Sequence, residues 1–195
     1  MPNASEPNQV GLVIFHEITK ADELKMKARS NTSKTGGGAR DLRFNYDEFD
    51  GVFQKIFPTL RQKPVTRKGV YEVKDIFYGV ARFEAEGEDP ISSELAWYTP
   101  TKSRPREGRI PTVHKIPALS VLPRQGLGIP MLLFIQSTSA PLTLAYAYED
   151  QFAEWDARLA EVLRESIDAR RGSNAASGYI DLLNDERNHV HGRRH

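Results

Sequence analysis

Cysteine is absent from this chain. That absence excludes disulfide staples, cysteine–zinc sites and thiol nucleophiles, and it fits a reducing cytoplasm, the expected location. Long apolar runs are missing too. No stretch approaches the roughly 18 residues that a membrane-spanning helix needs, so no membrane partner is expected. The first nine residues are polar and lack a basic-then-apolar pattern, so no secretory signal is read there. Internal repeats are also lacking. A large net charge is the last absence: 27 Lys and Arg against 26 Asp and Glu leave +1. So small a total argues neither for nor against nucleic acid. At 195 residues the chain can bury a core unaided, as one domain or one domain with appendages.

What is present is an uneven distribution of charge. Lys25 to Arg43 holds six Lys or Arg and one Asp, and Lys102 to Lys115 holds five and one Glu. Glu149 to Asp168 reverses the sign, with seven acids and two Arg. The near-neutral total therefore hides two basic segments and an acidic C-terminal stretch.

Residue patterns predict many short strands. Val10 to Ile18 is rich in β-branched and aromatic residues and reads as a strand. Leu24 to Ala28 alternates apolar and basic and reads as another, with a helical turn over Ala21 to Lys27 as the alternative. Ser30 to Gly38 is a small-residue loop. Leu42 to Phe44 resumes a strand. Asp47 is placed to cap a helix carrying Phe49, Val52, Phe53, Ile56 and Phe57 at helical spacing, ended by Pro58. Arg61 to Gly69 reads as a basic loop, and Val70 to Phe83 as two short strands or one bent at Gly79. Glu94 to Thr99 and Arg109 to Ile116 are strands, the second an edge because of Pro111. Pro117 to Pro130 reads as a loop. Met131 to Ser137 and Leu142 to Tyr148 are the two best strands. Asp150 is placed to cap a last helix whose stripe is Phe152, Trp155, Leu159, Val162, Leu163 and Ile167. Tyr179 to Leu183 reads as a short docking segment, and Asn184 to His195 as a polar tail.

The fold expected is mainly β (α+β). It is an antiparallel β-pseudobarrel with a short helix after an early strand and a C-terminal amphipathic helix. The domain expected is 1–150, with 151–195 as a helix and tail packed on it or extending from it. The stripe is expected to dock on the barrel. The acidic outer face of that helix is the surface a protein partner would use.

Several other chemical constellations are weaker. Lys34-Thr35-Gly36-Gly37-Gly38 has the wrong order for a phosphate loop, which needs the Lys after the glycines and before a helix. Glu72-Val73-Lys74 is an E-x-K tripeptide in a strand, with Asp47 and Asp50 upstream. Restriction-type nucleases hold metal ions on such carboxylates, but no Pro-Asp precedes it. His189, His191 and His195 cluster in the tail, without a rigid frame. His16 lies in an apolar strand, and His114 follows the second basic segment. No triad spacing or G-x-S-x-G occurs. The first reading therefore names no catalytic residue, metal ligand or cofactor, and a metal-dependent nuclease of the restriction class, with Glu72 and Lys74 in its site, stands as the alternative.

The two basic segments remain. The first runs from Arg29 to Arg43 and offers Arg29, Asn31, Ser33, Lys34, Thr35, Arg40 and Arg43. The second offers Lys102, Ser103, Arg104, Arg106, Glu107 and Arg109. Arg forks make bidentate bonds to phosphate or to a guanine edge, and glycines permit close backbone approach. An acid among arginines orients their forks or accepts from cytosine N4. Hydroxyls and amides in the first segment add donors and acceptors.

With these residues in view, the chain resembles the N-terminal effector-binding domain of the EcoRII restriction endonuclease. That domain belongs to a group of DNA-binding pseudobarrels that includes the plant B-three transcription-factor domains. The likeness lies in Thr35-Gly36-Gly37 leading to a strand and a helix ending Ile56-Phe57-Pro58. It continues in Trp97-Tyr98 before Lys102-Ser103-Arg104, Glu107 and Arg109-Ile110, and in the strand Met131 to Ile135. Arg106 and Gly108 depart from the family's pattern. The resemblance covers about Leu24 to Tyr148. It implies that the two segments are arms that wrap the major groove of double-stranded DNA and read a short site. It also implies a stand-alone reader, without the family's nuclease domain, connected with restriction-modification or defence.

Overall fold

The computed structural model describes residues 9–27, 40–67, 69–84, 89–100, 105–138, 140–169, 175–184 and 186–188. In chain order its elements are β1 (Val10–Glu17), α1 (Lys20–Met26), β2 (Leu42–Asn45), α2 (Tyr46–Ile56), β3 (Thr59–Arg67), β4 (Val70–Phe83), β5 (Ile91–Tyr98) and β6 (Glu107–Ile110). There follow α3 (Pro117–Ser120), β7 (Pro130–Ser137), β8 (Leu142–Tyr148), α4 (Ala157–Ala169), β9 (Ser177–Asp181) and β10 (Glu186–Asn188). Short 3-10 turns occupy Val113–Lys115 and Glu149–Glu154. The protein is mainly β with a few helices. Its contacts divide it into two units: Ile18–Pro123, and β1 with the chain from Arg124 onward. Among the described residues no helix is long and apolar enough to cross a membrane.

In the unit built from the two ends, β1 pairs antiparallel with β7 and β9. β7 continues to β8, and β9 to β10. β1 is buried from Gly11 to Glu17, which explains its unbroken apolar character. His16 lies opposite Leu132 and Ser177 and is buried, as a core strand position demands. Beside it the buried Glu17 carboxylate accepts from Ala176 N at 2.9 Å. The stripe of α4 (Leu159, Val162, Leu163, Ile167) is buried in this unit's own core, with Val13, Phe15 and Leu133. An open cavity of ≈ 470 Å³ lies in the same unit, beside Trp155 and Leu183.

Three expectations need correction in this unit. Asp150 does not cap the last helix, because residues 149–154 form a 3-10 turn closed by Trp155 N on Phe152 O. The helix starts later because the Asp156 carboxylate accepts from Arg158 N at 2.9 Å. Tyr179 lies in a paired strand, not a docking segment. Residues 186–188 return as β10, because the Asp181 carboxylate gathers Leu183 N and Asn184 N into a tight turn.

The central unit orders its strands β3-β4-β5-β6-β2, each neighbour antiparallel. Residues 61–67 are strand, not loop. Arg, Lys and Pro64 are tolerated in β3 because it is an exposed edge among the described residues, where charge and a missing N–H cost little. Gly69, at φ +77, makes the turn into β4. β4 runs unbroken through Gly79, where a Cβ would lie 2.6 Å from Phe57 Cδ1. Residues 20–26 are helix rather than strand, because Thr19 and Asp22 form a reciprocal capping box. α2 is capped by Asn45, whose side chain accepts from Asp47 N at 3.1 Å. β6 stops at Ile110 before Pro111, and residues 117–120 are a helical turn.

All pairs inside each unit are antiparallel, but the strands as a whole form a mixed sheet. That corrects the expectation of a purely antiparallel one. Hairpins enforce antiparallel pairing, whereas strands far apart in sequence are under no such constraint.

Candidate nucleic-acid interface

The candidate site is built on a four-residue ladder. β2 pairs with β6 in the register Leu42↔Ile110, Arg43↔Arg109, Phe44↔Gly108 and Asn45↔Glu107. β2 begins with the last two residues of the first basic segment, and β6 lies near the end of the second. The ladder continues one bond past each end. Val113 N donates to Arg40 O at 2.9 Å, and Tyr46 N donates to Arg106 O at 3.0 Å. Antiparallel pairing thus sends the two segments off opposite ends of the ladder, whose three steps span about 10 Å.

Alternation assigns the two faces. Phe44 and Trp97 face inward beneath α2. Trp97 stacks on Phe53 with ring centroids 4.2 Å apart, and its indole N–H donates to Asp50 at 3.1 Å. The other face carries a row of directly opposed residues across five strands: Arg61, Ile76, Tyr98, Arg109 and Arg43. Opposed residues project to the same side of a sheet.

Arg43 and Arg109 stand opposite each other, and like charges in that position repel. Each is matched by a carboxylate. Arg43 Nη1 is 3.4 Å from Glu107 Oε2, and Arg109 Nη1 donates to Asp41 Oδ2 at 3.1 Å. Asp41 is only 4% exposed. Its other oxygen accepts from Thr112 N at 3.1 Å. Thr112, at φ 51, is the one non-glycine with positive φ among the described residues. A β-branched residue is strained there, and the Asp41 carboxylate holds it. The Arg109 guanidinium also lies 5.8 Å from the Tyr98 ring centroid.

The remaining described cations differ in freedom. Arg40 Nη1 donates to Lys27 O, so it ties together the two ends of the first segment. Arg106 is the exposed one: its side chain is 84% accessible, and its Nε lies 3.8 Å from Asp47, which is also exposed. Glu107 faces Arg43 as an orienting carboxylate. Arg29, Asn31, Ser33, Lys34, Thr35, Lys102, Ser103 and Arg104 lie outside the described residues, as do His189, His191 and His195.

The E-x-K tripeptide lies on β4 in the β3–β4 hairpin, with Glu72 opposite Val65 and Lys74 opposite Lys63. Asp50 accepts from Trp97 and Gln54, and Asp47 faces Arg106. No group of three or more His, Asp or Glu suited to a metal ion occurs among the described residues.

Sequence reading missed Asp41 and Tyr98 as parts of this face. Asp41 was visible only as the lone acid in a basic segment, and its partner lies 68 residues away. No family model matches this chain, and neither does any curated protein or solved structure.

Proposed function

We propose that this protein is a sequence-specific binder of double-stranded DNA, with two basic arms rooted on a pseudobarrel like that of the EcoRII effector-binding group. One observation carries the reading: the β2–β6 register, which joins the roots of both basic segments on one sheet face. Arms leaving opposite ends of a ladder about 10 Å long are spaced to straddle a major groove about 12 Å wide. The ion pairs at the roots then have a purpose. Asp41 and Glu107 hold the Arg109 and Arg43 side chains in place, so these two guanidiniums need not be ordered afresh when DNA arrives. Arg106 and the Lys and Arg of the arms supply charge to phosphates and base edges. A link to restriction-modification or defence is part of the same proposal.

The test is selection from randomised duplexes, followed by titration across salt concentrations. About five phosphate contacts predict a slope of log K against log salt near −4 to −5. A slope near zero, or no binding at low salt, would sink the reading. Incubation with magnesium or manganese is expected to leave the duplex intact. Metal-dependent nicking abolished by Glu72→Ala would replace this proposal with a restriction-type nuclease.

A further inference from the structure

Trp97 and Tyr98 are adjacent aromatics that face opposite ways. Alternation sends Trp97 inward, where it is fully buried, stacks on Phe53 and donates to Asp50. Tyr98 therefore belongs to the other face, in the row that holds Arg109 and Arg43. It is the last residue of β5. Ile76 lies opposite it on β4, and Arg109 opposite it on β6. The residue after it is tied down as well, because the Thr99 hydroxyl donates to Asp75 O at 3.0 Å. Tyr98 thus stands on the sheet itself and not in an arm.

The Tyr98 side chain is half-buried. Its ring has the Arg109 guanidinium 5.8 Å from the centroid, and Asp41 holds that guanidinium in turn. The phenol is less well provided for. A tyrosine hydroxyl withdrawn from water usually has a hydrogen-bond partner. Tyr46 bonds to Asp50, and the Tyr148 hydroxyl accepts from Arg124 N at 2.8 Å. The Tyr98 hydroxyl makes no hydrogen bond among the described residues.

The surroundings select what that hydroxyl would meet. Of the Arg109–Asp41 pair the guanidinium is the more exposed, 23% against 6%, so the accessible charge beside the ring is positive. Positive charge there favours an anionic acceptor, and a phenol O–H donates well to an anionic oxygen. Reach decides which one. A half-buried side chain on a sheet face does not enter a major groove about 8.5 Å deep. It meets the outermost atoms of a duplex instead, and those are phosphate oxygens.

We propose that Tyr98 is a further DNA-contacting residue, whose hydroxyl donates to one backbone phosphate a single strand away from the β2–β6 ladder. This rests on the DNA-binding reading and adds a contact outside both basic segments. The donor is uncharged, so it contributes affinity without releasing a counterion. A phosphate contact carries no sequence information, and its use is to fix the register of the duplex on the protein.

The experiment compares the wild-type protein with Tyr98→Phe on matched and mismatched duplexes across salt. A second series carries a single methylphosphonate, which removes the charge of one phosphate, at each position of the matched duplex in turn. Tyr98→Phe keeps the ring beside Arg109 and should unfold in urea at the wild-type midpoint. It should weaken matched and mismatched duplexes by the same factor, about tenfold, with the salt slope unchanged. One methylphosphonate position should weaken the wild-type protein and leave Tyr98→Phe unaffected. Wild-type affinity in Tyr98→Phe overturns the contact and leaves the arms untouched. A loss confined to the matched duplex also overturns it, and assigns the hydroxyl to a base edge. A lowered urea midpoint overturns it by showing that the hydroxyl serves the fold. Failure of the wild-type protein to bind duplex at low salt removes the underlying reading, and this contact with it.

Discussion

Gly108 lies flat against the Trp97 indole: a Cβ at position 108 would sit 2.1 Å from Trp97 Cζ2 and 2.2 Å from its neighbour. No side chain fits there. The root of the second arm is thus built by a glycine that lets a buried tryptophan pass under β6, with Phe53 and Phe44 packed on the same ring.

Gly108→Ala should therefore overpack this site and cost about 1–3 kcal/mol. For a chain of this size that is about 2–4 °C of melting temperature per kcal/mol. Thermal unfolding followed by tryptophan fluorescence checks both the loss and its location. An unchanged melting temperature would show that the indole can move aside.

Asp41→Ala should destabilise more than Asp41→Asn. Alanine strands a half-buried Arg109 and removes the acceptor for Thr112 N, a loss of about 2–3 kcal/mol. Asparagine keeps an acceptor and loses only the charge. Urea unfolding of the two variants measures the difference, and equal losses would mean that the Thr112 bond contributes nothing.

Arg106 and Arg109 should separate binding from folding. Arg106→Ala is expected to leave stability within about 0.5 kcal/mol, because its pair with Asp47 is open to solvent. On DNA it should reduce the salt slope by about 1. Arg109→Ala should lower stability, because it strands the buried Asp41 carboxylate. Unfolding curves and salt titrations on both variants decide the matter; a stability loss confined to Arg106→Ala would reverse the roles.

Tyr46 gives a pH signature. Burial, a hydrogen bond to Asp50 and the nearby charges of Asp50, Asp75 and Asp47 push its phenol up to about 12 from 10.0. The folded state therefore keeps a proton that the unfolded state gives up. Its contribution to stability is complete below about pH 10 and is lost as pH rises through about 12. Urea unfolding across that window should show a decline that Tyr46→Phe lacks. Identical declines in the two proteins would refute the shift.

Some of this molecule was legible as one-dimensional pattern. The absence of cysteine, the strands at Val10–Glu17, Pro130–Ser137 and Leu142–Tyr148, and the phenylalanine-bearing α2 all follow from local composition and spacing. The stripe of α4 was readable too, since a face of Leu159, Val162, Leu163 and Ile167 must be buried somewhere. Pairing was not readable. In sequence, residues 61–67 of β3 read as a loop because an exposed edge needs no apolar alternation, and its Lys and Pro look like turn residues until β4 is beside it. Nor could sequence tell that Arg43 opposes Arg109, that Asp41 reaches Arg109 across 68 residues, or that Gly108 exists for Trp97. Those relations depend on strand register, which is set by which faces can be buried together, and that is a property of the packed chain rather than of any segment in it.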